Sequence, residues 1–297
     1  MLTLFPTMRI CADALCDIAY TALAGALLNR LWLGRVSICD RPLRISLIAC
    51  SAILLVDLPL QFLLLSASMI GDTSWRDAWG AVLDVGATHS GRAVIMGFCF
   101  VPCLLLFSFL PTSLKRTKSV LIGIALEVGF IACRALHGHA ASNGDFTLRE
   151  GIQFLHLSAI ATWGGGILVA GLITIPYLAS IAELGDIVQF GKRLSETVTI
   201  ALAVVILSGI YNSWEGLGGS LSPLPNSAWG RMLLLKLSFV LLALGHGVRV
   251  RFLLRTQDPW TQSRTSIMRK WVHAEALFIL LVLACSAWLA NLPPADM

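Results

Sequence analysis

The sequence predicts an all-α fold, a bundle of eight transmembrane helices that forms one polytopic membrane domain over residues 1–297. Two observations of composition lead to this prediction: 57% of the residues are hydrophobic and 13% are charged, and the mean hydropathy is +0.79. The third observation is that apolar runs of roughly 20 residues recur along the chain, which is the length that a helix needs to cross a bilayer core of about 30 Å. We therefore expect membrane lipid to surround the protein.

Turn-forming residues separate the eight predicted spans. Asp40-Arg41-Pro42 precedes the second span, Pro111 follows the third, and Ser142-Asn143-Gly144-Asp145 lies between the fourth and the fifth. The segments between the spans are too short to form a soluble domain. The predicted helices cover residues 11–33, 45–69, 91–110, 119–139, 151–178, 196–214, 231–254 and 271–291.

Lysine and arginine predict the orientation of the bundle. The connections after the first, third, fifth and seventh spans hold 15 of the 22 basic residues: Arg30, Arg35, Arg41, Arg44, Lys115, Arg116, Lys118, Lys192, Arg193, Arg249, Arg251, Arg255, Arg264, Arg269 and Lys270. Because basic residues concentrate in cytoplasmic connections, we expect both termini to be periplasmic in a multi-pass protein of a bacterial inner membrane. This distribution also accounts for the net charge of +5, so no nucleic acid partner is expected.

Four of the six histidines lie near the predicted periplasmic face. His89 begins the third span, and His156 begins the fifth. His137 and His139 end the fourth span, two residues apart, which separates them by about 200° around a regular helix. A short connection makes the fourth and fifth spans antiparallel neighbours, so His139 and His156 can face each other, and His139 is the one expected to point inward.

These imidazoles predict a metal site formed by His139, His156 and His89, with His137 as a lesser candidate. Imidazole is the commonest metal ligand in proteins, and it suits copper in both oxidation states. A polar side chain at membrane depth usually faces the bundle interior or an aqueous pocket. The alternative is that these histidines are interfacial and bond to the backbone or to lipid headgroups.

Sulfur atoms in the third span are candidates for a transport path. Met96, Cys99 and Cys103 share one face of that span. Soft sulfur ligands suit Cu(I), which would allow this face to conduct copper. The alternative is ordinary packing, because Cys and Met are common core residues.

Carboxylates inside the spans are candidates for the same path. Asp57 lies in the second span and Glu127 in the fourth, and ionisable residues within a membrane are functional candidates by default. Glu127 is seven residues from Arg134, so the two share a helix face and are expected to neutralise each other in part. Fixing the helix packing is the alternative role for such a pair.

The fifth span also carries a small-residue face. Gly164, Gly165, Gly166 and Ala170 lie close together along it. Such residues let two helix backbones approach each other in a membrane. We interpret this face as a packing device.

Several motifs follow one another in an order that resembles a known family. They are ATHSGRAVIM at 87–96, GHAA at 138–141, LHLSAIATWGGG at 155–166, LSGIYNSW at 207–214, WGRMLLLK at 229–236 and LPPA at 292–295. Their order is similar to that in the CopD copper-resistance family, and the resemblance covers the chain from about residue 87 to the end. That family consists of inner-membrane proteins with several spans, associated with moving or handling copper between periplasm and cytoplasm.

The resemblance implies copper transport or copper handling across a bacterial inner membrane. The ion would be Cu(I) or Cu(II), the outer histidines would receive it, and a periplasmic copper-binding protein is an expected partner. We expect no enzyme activity. The sequence holds no Walker motif and no aspartyl-phosphate loop, so transport would be downhill or coupled to an ion gradient.

Two other functions fit part of the pattern. A membrane electron carrier of the b-type cytochrome class would bind haem between histidines on neighbouring helices. His246 and His273 could then supply ligands near the cytoplasmic face, although the outer histidines lie close to the surface. The third alternative is a structural partner for a periplasmic copper protein, without transport of its own.

Overall fold

The computed structural model describes residues 4–34, 40–72, 74–110, 116–137, 147–181, 183–255 and 260–293. All regular structure in these ranges is helical, which confirms the predicted fold class. The eight long helices are α1 (Leu4–Leu33), α2 (Asp40–Met69), α5 (His89–Phe109), α6 (Arg116–Ala135), α7 (Leu148–Val169), α9 (Leu184–Gly216), α11 (Ala228–Arg255) and α12 (Gln262–Ala290). The short helices are α3 (Trp75–Gly80), α4 (Val82–Gly86), α8 (Ile175–Ile181) and α10 (Pro223–Asn226).

Seven of the long helices in the described ranges are long and apolar enough to cross a membrane, by length and composition. The exception is α6, whose 20 residues include Lys118, Glu127 and Arg134. The prediction of eight spans is thus confirmed for seven helices. The eighth span stays a prediction.

Most of the helices are longer than the apolar ranges that predicted them. The largest difference is in α9, which begins at Leu184 rather than at residue 196. The added turns carry Asp186, Lys192 and Arg193. These charges end an apolar pattern, but they do not interrupt the backbone hydrogen bonds of a helix at a membrane surface, so the helix continues.

The long helices alternate in direction, and side-chain contacts identify the two ends of the bundle. Where α1 begins, Arg9 donates to both carboxylate oxygens of Asp72, which follows α2, over 2.8 and 3.0 Å. Asn291, directly after α12, donates to Asp13 of α1 over 2.8 Å. The described chain therefore begins and finishes at the same end of the bundle, which we call the terminal end.

Basic side chains join the helices at the opposite end. Arg44, near the beginning of α2, donates to the carbonyl oxygens of Ser108 and Phe109 at the end of α5. Arg193 of α9 donates to the carbonyl oxygen of Trp32 at the end of α1 over 2.7 Å. These contacts satisfy carbonyl groups that the last turn of a helix leaves without intrahelical partners.

Helix α1 packs against α2, α6, α7, α9 and α12, and its contact with α7 is the closest between backbones. A Cβ atom on Gly165 of α7 would collide with the carbonyl oxygen of Thr21, and a Cβ atom on Gly25 of α1 would collide with that of Gly165. The small-residue face predicted for the fifth span is therefore the surface on which α1 and α7 meet.

A π-helical segment, Ala170–Thr174, joins α7 to α8. Gly171 in this segment lies against α12, where a Cβ atom would stand 2.7 Å from the carbonyl oxygen of Val272. Short π segments within α-helices are frequent at functional sites. This one is directly followed by Ile175, which lines a cavity between α9, α11 and α12.

Candidate functional site

His156 is buried between α7 and α9, with 8% of its surface exposed. Its Nδ1 atom lies 2.9 Å from the hydroxyl oxygen of Ser208 in α9. The same hydroxyl lies 2.5 Å from the carbonyl oxygen of Val204. When it donates its hydrogen there, it accepts from a protonated Nδ1, and the Nε2 lone pair of the neutral ring is left as a possible ligand.

The surroundings of His156 hold its ring in place. A Cβ atom on Gly209 would stand 3.3 Å from Cε1 of the ring, so the glycine leaves the space that the imidazole fills. An imidazole that binds a metal usually gives its other N–H to a hydrogen-bond acceptor, which fixes the tautomer and the ring orientation. The pair of His156 and Ser208 has this arrangement.

His89 begins α5 and contacts the first turn of α7. Its Nε2 atom is 3.4 Å from Oε1 of Glu150, a residue that is 3% exposed. The other carboxylate oxygen of Glu150 accepts from the backbone N–H of Thr147 over 3.1 Å, as part of the capping box that starts α7. Glu150 is a partner of His89 that the sequence analysis did not find, although the Thr-x-x-Glu spacing signals the cap.

His89 and His156 do not belong to one cluster. Glu150, which contacts His89, precedes His156 by six residues, so the two side chains point about 120° apart around α7. In the part of the chain that the structure describes, no three His, Cys, Asp or Glu side chains are close enough to hold a metal ion. His139 lies outside the described residues. The site of His139, His156 and His89 therefore stays a prediction.

His137 follows α6 and lines a small cavity between α2, α5 and α6. Gln61, Cys133 and Arg134 are the other polar groups around this cavity. The amide of Gln61 donates to Asp57 over 2.7 Å. The cavity thus connects His137, a predicted ligand at the terminal end, through Gln61 with Asp57, a predicted residue of the transport path inside α2.

Asp57 and Glu127 are both inside the bundle, with 3% and 2% of their surfaces exposed. Asp57 has Gln61 as its hydrogen-bond partner, whereas neither carboxylate oxygen of Glu127 has a partner among the described residues. The thiol of Cys50 in α2 lies within electrostatic range of Glu127. Because a buried ionised carboxylate without a partner is costly, Glu127 is an interior position at which a bound cation would relieve such a cost.

The predicted neutralisation of Glu127 by Arg134 is wrong. Arg134 binds two carboxylates of α1 instead, with 2.9 Å to Asp13 and 3.4 Å to Asp17. Seven residues place Glu127 and Arg134 about 10.5 Å apart along the axis of α6, which is too far for an ion pair. The guanidinium therefore extends sideways to the neighbouring helix, and spacing within one helix could not reveal those partners.

Met96, Cys99 and Cys103 lie on the outer surface of the bundle. The side chain of Met96 is part of a residue that is 48% exposed, and both thiols are exposed. Each cysteine donates to the carbonyl oxygen one turn earlier in α5. The three sulfurs share one face of the helix, but that face points away from the interior. They therefore do not line a path through the bundle.

The two remaining histidines do not form a shared site. Nδ1 of His246 lies 2.8 Å from the carbonyl oxygen of Leu242, and its ring packs against Trp271 and Phe278, with centroids 5.1 and 5.3 Å away. His273 is exposed on α12. The haem alternative receives no support from this arrangement.

The comparison with protein families returns a match to the last part of the chain. The family described as Copper resistance protein D (CopD) matches residues 188–289, from the first turns of α9 to the end of α12. No curated protein and no solved structure matches the chain. The match confirms the resemblance seen in the sequence, and it includes Ser208, the partner of His156, whereas the histidine-rich motifs of α5 to α7 lie before it. Residues 188–289 are thus similar to the CopD copper-resistance family.

Proposed function

We propose that this protein moves copper across a bacterial inner membrane. The observation that carries the proposal is the CopD match, because it covers α9, α11 and α12 of a helical bundle with seven helices that are long and apolar enough to span a membrane. Copper is the transported ion in this proposal. A periplasmic copper-binding protein is the proposed partner that delivers or receives it.

The terminal end of the bundle faces the periplasm in this proposal. Basic side chains such as Arg44 and Arg193 lie at the opposite end, and basic residues favour the cytoplasmic side of a membrane. The terminal end carries the carboxylates of Asp13 and Asp72, which are paired with Arg134 and Arg9. Copper would therefore meet the protein first at the terminal end.

Histidines are the proposed first ligands. His156 offers a lone pair at Nε2, His89 lies beside the Glu150 carboxylate, and His137 follows α6 at the terminal end. His139, two residues later in the sequence, is a further candidate. Transport needs sites that bind an ion well enough to take it up but weakly enough to release it. Contacts with one or two histidines at a time meet that requirement better than a closed cage of ligands.

The proposed route inside the bundle passes the carboxylates of α2 and α6. His137 and Gln61 share a cavity, Gln61 bonds to Asp57, and Glu127 is buried without a hydrogen-bond partner among the described residues. A cation that leaves the histidines would find compensating negative charge at these two positions. This reasoning makes Asp57 and Glu127 weak intermediate sites.

Copper uptake into vesicles tests the function. Purified protein in liposomes is expected to accelerate Cu(I) entry over empty liposomes, and His156→Ala and Glu127→Gln are each expected to lower the rate at least about tenfold, as loss of a metal contact does. His273→Ala is the matched control, because His273 is exposed, and its rate should equal that of the wild type. No acceleration by the wild type would contradict the function. Normal rates in both interior variants would contradict only the route.

A further inference from the structure

A cavity separate from the one lined by His137 lies between α9, α11, α12 and the helix that runs from α7 to α8. Its volume of about 20 Å³ is enough for roughly one water molecule. Most of its wall is apolar, and Ser195, Arg251 and Glu275 are the residues that bring polar side chains to it. These three residues lie within the CopD segment, and none of them belongs to the copper route proposed above.

The carboxylate of Glu275 in α12 lies in this cavity, in the space left by Gly247 of α11. The residue is 4% exposed. A Cβ atom on Gly247 of α11 would stand 2.7 Å from Oε1 of Glu275, so the carboxylate occupies the space of a missing side chain. No described residue forms a hydrogen bond or an ion pair with this carboxylate, and the cavity is the space beside it.

Arg251 brings the opposite charge to the same cavity without touching Glu275. It lies one turn after Gly247 on α11, and its buried Nε atom has no hydrogen-bond partner within the described ranges. A carboxylate and a guanidinium that share a cavity of this size are close enough to influence each other. They are too far apart to form the direct pair that would lock both charges.

The other ionisable groups around Glu275 do not face the cavity. On α9, Lys192 and Glu196 are exposed, and Arg193 reaches Trp32. On α11, His246 packs on the far side against Trp271. The walls from α7 and α8 are Ile167 and Ile175, and His273 on α12 itself is exposed.

Two opposing effects act on the protonation of Glu275. Burial without a contacting cation favours the neutral acid, whereas the charge of Arg251 favours the carboxylate. The exchange is RCOO⁻ + H⁺ → RCOOH, with the proton carried by water in the cavity and Arg251 staying charged. A metal cation is a poorer occupant, because the guanidinium repels it and the cavity supplies one carboxylate.

We infer that Glu275 is a proton-binding site, separate from the copper ligands, that couples movement of the transported ion to movement of protons. The coupling rests on the proposed function, whereas the proton binding does not. The coupled ion is therefore H⁺, and the carboxyl group of Glu275 is the group that carries it past the middle of α12.

Infrared difference spectroscopy tests proton binding without copper. Protein in lipid is expected to show a carboxylic acid C=O band that disappears as the pH rises, and Glu275→Gln should remove that band. Glu196→Gln, the exposed control, should keep it. Arg251→Gln should let the band persist to higher pH, because loss of the positive charge favours the neutral acid. An unchanged band in Glu275→Gln would overturn the inference.

Proton movement into copper-loaded liposomes tests the coupling. With a pH-sensitive dye trapped inside, the wild type is expected to move protons when a copper gradient is applied, and Glu275→Gln is expected to lose that signal. Glu196→Gln should retain it. A full proton signal in Glu275→Gln would overturn the coupling. If the wild type moves no copper at all, the proposed function fails, and the infrared band still decides whether Glu275 binds a proton.

Discussion

At the scale of single residues, the contact between His156 and Ser208 carries the most chemical information. When the hydroxyl of Ser208 donates to the carbonyl oxygen of Val204, 2.5 Å away, an oxygen lone pair is left to accept from Nδ1 of the ring. In this arrangement, the carbonyl group of Val204 determines which ring nitrogen carries the proton in His156, 48 positions earlier in the chain. The nitrogen that could bind copper is selected by a residue that does not touch the copper.

Ser208→Ala is therefore expected to weaken copper binding although it removes no ligand. Loss of a hydrogen bond that orients a metal-binding imidazole typically lowers metal affinity by about 10- to 100-fold. Ser286→Ala is the matched control, because the Ser286 hydroxyl also donates to a carbonyl oxygen one turn earlier, in α12. Copper titration of the purified variants measures both effects.

The conservative variant Ser208→Thr sharpens this test. Threonine keeps the hydroxyl that accepts from Nδ1, so it should restore most of the affinity that alanine loses. Equal affinity in the wild type and Ser208→Ala would show that His156 does not bind the ion through this tautomer.

At the scale of helices, the contact between α1 and α7 depends on glycine at both positions. Gly25 and Gly165 bring the two backbones into direct contact, and such close approach lets helices associate in lipid, where apolar surface alone supplies little attraction. The next residues on α1 use the same proximity: the Asn29 amide donates to the carbonyl oxygen of Gly166 over 3.1 Å.

Gly165→Ala is expected to destabilise the bundle, because its Cβ atom would collide with the backbone of Thr21. Extra atoms forced into a packed interior typically cost about 1–3 kcal/mol. Gly151→Ala on the same helix has open space around it and should be neutral or stabilising by up to about 1 kcal/mol, since alanine favours helices. Thermal unfolding in one detergent compares the two variants. Equal unfolding temperatures would mean that α1 and α7 can separate without loss of stability.

The direction in which a helix face points could not be predicted from the sequence. Spacing correctly placed Met96, Cys99 and Cys103 on one face of α5, yet it could not tell that the face points outward. In a soluble protein the apolar side of a helix identifies the core, whereas a helix in lipid is apolar on all sides. Only packing against neighbours decides the direction, and this is also why the bonds of Arg134 to α1 were not foreseen.

At the scale of the whole molecule, the helical bundle itself was predictable. Apolar length and turn residues give the number and order of the long helices, and the bond between Asn291 and Asp13 places the third turn of α1 beside the end of α12. The pattern of charges gives the proposed orientation. Contacts between side chains of different helices, such as the one between His156 and Ser208, depend on the three-dimensional arrangement. They could not be predicted from the sequence.

Reporter fusions test the orientation. An enzyme that is active only in the periplasm, fused after residue 297, should be active, because the terminal end is proposed to face outward. The same reporter inserted at residues 256–259, between α11 and α12, should be inactive, since that connection is flanked by Arg255 and Arg264. The reverse pattern would place the histidines at the cytoplasmic face.

The bond between Asn291 and Asp13 has a further consequence for how the chain can be rearranged. Because Asn291, directly after α12, contacts Asp13 in the third turn of α1, a short peptide can join residues 1 and 297, and the chain can be reopened at Gly218 and Gly219, which are exposed in the turn after α9. Closely placed termini generally tolerate such circular permutation. The permuted chain would insert α11 and α12 first and α9 last, and copper uptake by it would show that the order of insertion does not determine the working structure.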